Sequence, residues 1–262
     1  MMKNEIKQKF PSWCNDTNTK YNLMLSDDLD SLFSCAILNK LFGYEIKWFY
    51  DFNNMYISDD NDNKTKSFAV DADMVKYRCW GNHVTLNNPK AANINTIMGI
   101  GQSNYTEKFC GSTLLTILSY YSADLSELSE EQKMILLTID STYLGYWFKD
   151  GFYCKKYLKM MELDCLLDVL ERHSKEEFKE LDIKYNLNKG KIWVDILDNT
   201  LHSDIQLDKL RELFPSLSFI LPKNEFSTYK SFEIVQSAYL KHNREEVFSC
   251  ARVYRNALRY SI

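Results

Sequence analysis

The stretch Tyr21–Phe42, "YNLMLSDDLDSLFSCAILNKLF", decides how the chain folds. It opens as an apolar strand, "YNLML" (21–25), and then places Asp27, Asp28 and Asp30 within four positions. Beyond the acids, Leu32, Phe33, Ala36, Ile37 and Leu41 recur at helical spacing, with Gly43 as the stop. "YEIKWFYD" (44–51) reads as a second strand, which completes a strand–helix–strand unit of the kind that builds parallel sheets. After a polar turn, "DDNDNKTK" (59–66), a third strand is expected over "SFAVDAD" (67–73). A fourth follows over "YRCWGNHVT" (77–85), closed by the loop "LNNPKAANINT".

The middle of the chain reads as helical. Helices are expected over 111–122, over 129–147 behind a Ser129/Gln132 capping box, and over about 155–172. Ser174 and Glu177 are placed to cap a fourth. Strand texture returns at 191–197, 218–222, 247–254 and 257–262, with the helix "IQLDKLRELF" between the first two and an Arg255-Asn256 hairpin turn. The expected class is α/β. Residues 1–150 form a mostly parallel sheet with helices on both faces, 151–190 a helical connector, and 191–262 a smaller α/β domain.

At 262 residues and 45% hydrophobic content, the chain can bury a substantial core. A net charge of -4 argues against a general basic surface that wraps nucleic acid, while leaving room for a local basic site. Seven cysteines without a C-x-x-C pair sit mostly in apolar stretches and read as reduced core thiols. No apolar stretch is long enough for a signal peptide or a membrane span, so the expected location is cytoplasmic.

In an open parallel sheet, ligands bind beyond the carboxyl ends of the strands. Asp28 and Asp30 follow the first strand there, and Asp71 and Asp73 follow the third. Converging carboxylates repel each other, and a hard divalent cation relieves that conflict. The competing explanation is that Asp27 or Asp28 caps the following helix. His83 ends the fourth expected strand, and Asp140 lies three and four positions after Leu137 and Leu136, on their face if the helix continues. Tyr143, Tyr146 and Trp147 follow closely enough to suggest base stacking, although core packing is the commoner use of such residues.

Taken in order, these pieces resemble the DHH phosphoesterase superfamily, which includes RecJ-type exonucleases, nanoRNA and cyclic-dinucleotide phosphodiesterases and family II pyrophosphatases. The D-x-D motif after an apolar strand is matched by Asp28 and Asp30 in "LMLSDDLDSLFSCAIL". The strand-end acid is matched by Asp71, with Asp73 as second choice, and the acid of the helical region by Asp140. "KFCGSTLLTIL" is similar to the helix after the third motif, and "VFSCARVYRNALRYSI" to the closing strand pair. The departures are Ser31 for the usual glycine, Asn82-His83-Val84 for the D-H-H triplet, and no glycine-rich GGGH-type motif.

The resemblance implies a Mn²⁺ or Mg²⁺ site built from Asp28, Asp30, Asp71, His83 and Asp140, with Asp28, Asp30 and His83 acting in catalysis. Arg252 and Arg259, on the two arms of the final hairpin, are the implied phosphate ligands; their plainer alternative is a solvent-facing role. The implied activity is metal-dependent hydrolysis of a phosphodiester in a nucleotide or short nucleic acid, away from membranes, with room for a homodimer. The alternatives are a relative without turnover that binds a nucleotide, nucleic acid or protein partner, and an unrelated α/β protein whose acids are caps.

Overall fold

Strand β1 (Asn22–Ser26) is buried along its length except at the half-buried Met24, and the molecule is built outward from it. The computed structural model describes residues 2–62 and 64–262; Met1, and Asn63 within the expected turn 59–66, lie outside them. Parallel to β1 run β2 (Glu45–Tyr50) on one side and β4 (Ser67–Val70) on the other. Beyond β4 come β5 (Cys79–Gly81) and β6 (Ala91–Asn93), also parallel. Beyond β2 come β3 (Asn54–Ser58), antiparallel to β2, and β9 (Phe226–Ser231), antiparallel to β3 and so running in the direction of β1. The resulting order is β6-β5-β4-β1-β2-β3-β9. The chain leaves β1 toward one side and returns on the other, so the switch point lies between β1 and β4. A crevice opens there at the carboxyl ends of the two strands.

Alternation along the strands divides the core. Leu23, Leu25, Phe49, Phe68, Val70 and Trp80 face one way and meet the helices; Tyr50, Ala69, Cys79 and Ala91 face the other. On the helical side lie α2 (Leu29–Phe42), α4 (Thr113–Tyr120), α5 (Glu130–Thr138), α6 (Phe152–Met160), α7 (Asp164–Arg172) and α8 (Lys175–Tyr185). The single turns α1 (Asn4–Lys7) and α3 (Ile94–Ile97) belong to the same side. Helices on both faces were expected, and the second face does not have them among the described residues. A small antiparallel sheet covers only its carboxyl end, in the order β10 (Ile234–Ser237), β12 (Ala257–Ser261), β11 (Ser249–Tyr254).

That small sheet roofs the crevice and is fixed to the floor at several points. Tyr50 Oη bonds Ser249 Oγ at 2.7 Å and also reaches Ser261 Oγ. Cys250 N donates to Asp73 O at 3.0 Å, and Arg252 N to Val84 O at 2.8 Å.

A separate C-terminal domain is not confirmed. The ribbon β7 (Ile192–Val194) and β8 (Leu201–Ser203) and helix α9 (Leu207–Leu213) send Ile192, Leu201, Leu210, Phe214 and Phe219 into the core that holds β1. Residues 218–222 form no strand, and Phe219 packs edge-on against Phe33, 4.8 Å between ring centres. The strand falls instead at β9, which extends the main sheet. The expected helix 155–172 breaks at Glu162, in left-handed backbone, into α6 and α7. All seven cysteines are free, and five of them are buried.

Candidate metal centre

The crevice floor begins with the loop after β1. Asp28 is the N-cap of α2, its carboxylate accepting from Ser31 N at 3.2 Å, so the capping role and a place in the crevice coexist. Ser31, where the family resemblance predicts glycine, has its own task. Its hydroxyl accepts from Ser26 N and donates to Val70 O, both at 2.8 Å, tying the ends of β1 and β4 together. Ser26 Oγ in turn donates to Asp71 O at 3.1 Å.

Asp30, the second residue of α2, is 1% exposed. Its two oxygens accept from Thr113 N at 2.7 Å and Leu114 N at 2.8 Å, the first amides of α4. Asp71 accepts from Thr113 Oγ1 at 2.7 Å. Carboxylate oxygens of Asp30, Asp71 and Asp140 all lie within 4.8 Å of one another.

Asp140 reaches this cluster by a route that helical periodicity did not give. Helix α5 ends at Thr138, Ile139 is extended, and Asp140 and Ser141 take left-handed φ of 54° and 52°. The expected continuous helix to 147 is therefore a run of tight turns, and Asp140 does not share the face of Leu136 and Leu137. Asn82 Nδ2 holds it, donating to Asp140 Oδ2 at 2.5 Å and to Gly111 O at 3.2 Å. Asp71 also has a left-handed φ of 53°. Aspartate tolerates that region better than most residues, and such strain gathers at functional sites.

His83 lines the same crevice as Asp28, Asp71, Asp73 and Asp140 but stands outside the triad. Its Nδ1 is 3.0 Å from Asp73 Oδ2, which leaves Nε2 for other partners. Asp73, only a second choice as ligand from the sequence, thus orients the imidazole. Asn93 fixes Asp73 from the other side at 2.7 Å and also donates to His83 O. Gly81 is required beside them, since a Cβ there would lie 2.3 Å from Asp73 Oδ1. Asn93 escaped sequence reasoning, and Asn82 and Thr113 entered it only as members of motifs, because their roles depend on loops that meet only in the fold; the "DAD" alternation was the one signal available for Asp73.

The two arginines part company. Arg259 lines the crevice, about 200 Å³ in volume, from the roof. Arg252 pairs with Leu258 across the hairpin while Arg259 pairs with Ala251, which puts the arginines on opposite faces. The Arg252 guanidinium bonds Arg255 O at 2.9 Å, at the turn, and the expected phosphate role is not supported by that position.

Negative charge dominates the floor. Burial, with Asp140 and Asp27 nearby, pushes Asp28 up to about 7, against the opposing pull of Lys191. Burial raises Asp30 well above the usual range, and Asp71, Asp140 and Asp28 add to it. Asp71 is raised likewise by burial, Asp28 and Asp140. Two cations stand close, each bonded to a different acid: Lys191 to Asp27 at 3.1 Å and His83 to Asp73. Burial disfavours charge on His83, but Asp73, Asp71 and Asp140 outweigh it and hold the imidazole at about 9. Oxygen-only donors crowded until their pKa values rise suit a hard divalent ion such as Mg²⁺ or Mn²⁺.

Comparisons with protein-family models, curated proteins and solved structures each return no match, so the chemistry rests on this geometry. Among the described residues, no helix is long and apolar enough to cross a membrane.

Proposed function

We propose that the chain is a metal-dependent phosphoesterase related to the DHH superfamily, acting on a phosphodiester of a nucleotide or short nucleic acid. The observation that carries this reading is the convergence of Asp30, Asp71 and Asp140 at the switch point of a parallel sheet. These three hold the cation, and Asp28 lines the same crevice. A divalent ion supplies an acidified water and neutralises charge on phosphoryl oxygens. Arg259 brings positive charge from the roof. The Asp73–His83 pair presents an oriented imidazole able to hold or deliver a proton at a leaving oxygen.

One observation favours the second reading, a binding protein without turnover. Both oxygens of Asp30 already accept backbone N–H groups, and Asn82 stands where the resemblance expects an acid. The deciding experiment is calorimetric titration of EDTA-treated protein with Mn²⁺, followed by assay on a dinucleotide, a cyclic dinucleotide and a nitrophenyl phosphodiester. Saturable Mn²⁺ uptake with a raised Tm and Mn²⁺-dependent cleavage is expected. Uptake without cleavage moves the assignment to the binding protein, and no uptake removes the metal centre.

A further inference from the structure

Beyond Asp140 the chain leaves the crevice and runs into an aromatic surface. Trp147, Phe148 and Phe152 are 40%, 51% and 62% exposed, three large rings within six positions. Single exposed aromatics are ordinary, but a cluster of them marks an interaction site. Lys149, Asp150 and Gly151 take left-handed φ of 49°, 55° and 71°, forming one tight turn with Phe148 and Phe152 at its two ends.

Lysines are interleaved with these rings. Lys149 Nζ lies 5.5 Å from the Phe148 ring centre and donates to Thr106 Oγ1 at 3.1 Å. Lys155 lies 4.9 Å over Tyr146, Lys156 5.9 Å over Tyr153, and Lys108 4.9 Å over Tyr105. Residues 102–110 and 141–160 together hold five lysines against two acids, Glu107 and Asp150, in a chain whose net charge is -4. Among the described residues these four lysines sit against rings and in no ion pair, so their charges remain available.

The surface is also joined to the crevice from its far side. Tyr105 Oη donates to Arg252 O at 3.2 Å and Val253 O at 3.1 Å, and Val253 lines the crevice with Arg259. The band therefore meets the crevice through the final hairpin as well as through the Asp140 turn.

We infer that this band is a track for single-stranded nucleic acid, with bases stacking on Trp147, Phe148 and Phe152 and phosphates meeting Lys108, Lys149 and Lys156. Exposed rings alternating with unpaired cations are the two elements such binding needs, since every base has a face to stack and every linkage a charge. An anionic membrane also attracts aromatics and lysines, but it would have no use for continuity with a crevice of about 200 Å³. The inference deepens the proposed activity by naming the form of substrate, and it can be tested apart from it.

The test is fluorescence anisotropy of a labelled oligothymidylate of about twelve nucleotides, in EDTA so that cleavage and metal play no part. Wild type is expected to bind saturably, and a duplex of the same length, whose bases are already stacked, to bind less. F148A and F152A should each weaken binding about tenfold, and F148W should restore it. K149E should weaken binding and lower the slope of log K against log salt by about one. These side chains are exposed, so circular dichroism should be unchanged in every variant. Binding indifferent to F148A and F152A, or binding to phosphatidylserine vesicles and not to the oligonucleotide, overturns the track. If the track fails while Mn²⁺-dependent cleavage of a dinucleotide persists, only this inference falls. If the track holds and Mn²⁺ is not taken up, the track stands and the phosphoesterase reading falls.

Discussion

Asp30 and Asp140 belong to one carboxylate cluster, yet their removal should act in opposite directions. Asp30 accepts two backbone N–H groups, so Asp30→Asn turns an amide NH₂ toward one of them. That leaves a buried donor facing a donor, at a cost of about 1–3 kcal/mol, and Tm should fall with or without Mn²⁺. Asp140 accepts from Asn82, a bond that an asparagine oxygen can also accept. Asp140→Asn therefore relieves repulsion on Asp28, Asp30 and Asp71, and should raise Tm in EDTA while weakening Mn²⁺ binding about tenfold or more. Thermal melts of both variants, with EDTA and with Mn²⁺, check the pair; equal shifts of one sign would end the charge-crowding account. The acids after β1 and β4 were legible because a carboxylate at the carboxyl end of an apolar strand stands out in one dimension. Asp140 was found through a helical face it does not occupy, Asn82 was noted only as a departure from an expected acid, and Asn93 carried no signal, since an asparagine in a loop is ordinary until its partner is known.

At the scale of elements, the capped helix starts and the stop of α2 at Gly43 were legible, and the end of α5 was not. The capping boxes of α5 and α8 are present where Ser129/Gln132 and Ser174/Glu177 placed them, because a cap is written in four adjacent residues. The end of α5 depends on where Asp140 must go, which no adjacent residue records. The starts of α5 and α8 are joined by His173, whose Nε2 and Nδ1 lie 3.0 Å from Glu130 and Glu177. Partial burial works against the imidazolium, but hydrogen bonds to Glu177 and Glu130 raise its pKa. Hydrogen bonds from His173 and Ser174 lower Glu177 to about 2. The sign follows from linkage: the histidine contribution is full below about pH 6.5 and lost as pH rises through the raised value. The Glu177 contribution is full above about pH 4.5 and lost on further acidification. His173→Ala should thus lower Tm more at about pH 6 than at about pH 9, and a deficit independent of pH would contradict the clamp.

For the molecule as a whole, the parallel sheet was legible in the β1–α2–β2 unit, but the unity of the core was not. A change of texture near residue 190 suggested a second domain, whereas β9 closes the main sheet and Phe214, Phe219 and Phe226 fill the core beneath α2 and β1. Pairing between strands so far apart in sequence leaves no local mark. A chain ending at residue 190 should therefore lack a cooperative melt and should bind anilinonaphthalene sulfonate, the signs of an unpacked core. A soluble fragment with a sharp transition would restore the boundary.

The roof over the acids also has a history within each molecule. Tyr50 meets Ser249 and Ser261 across 199 and 211 residues of chain, so the floor of the crevice is translated long before its cover. At about 5–20 residues per second, a ribosome takes roughly ten to forty seconds to cross that interval. Every newborn chain thus carries its acids without their cover for a time, and cations around it can meet those carboxylates before Arg259 brings its own positive charge.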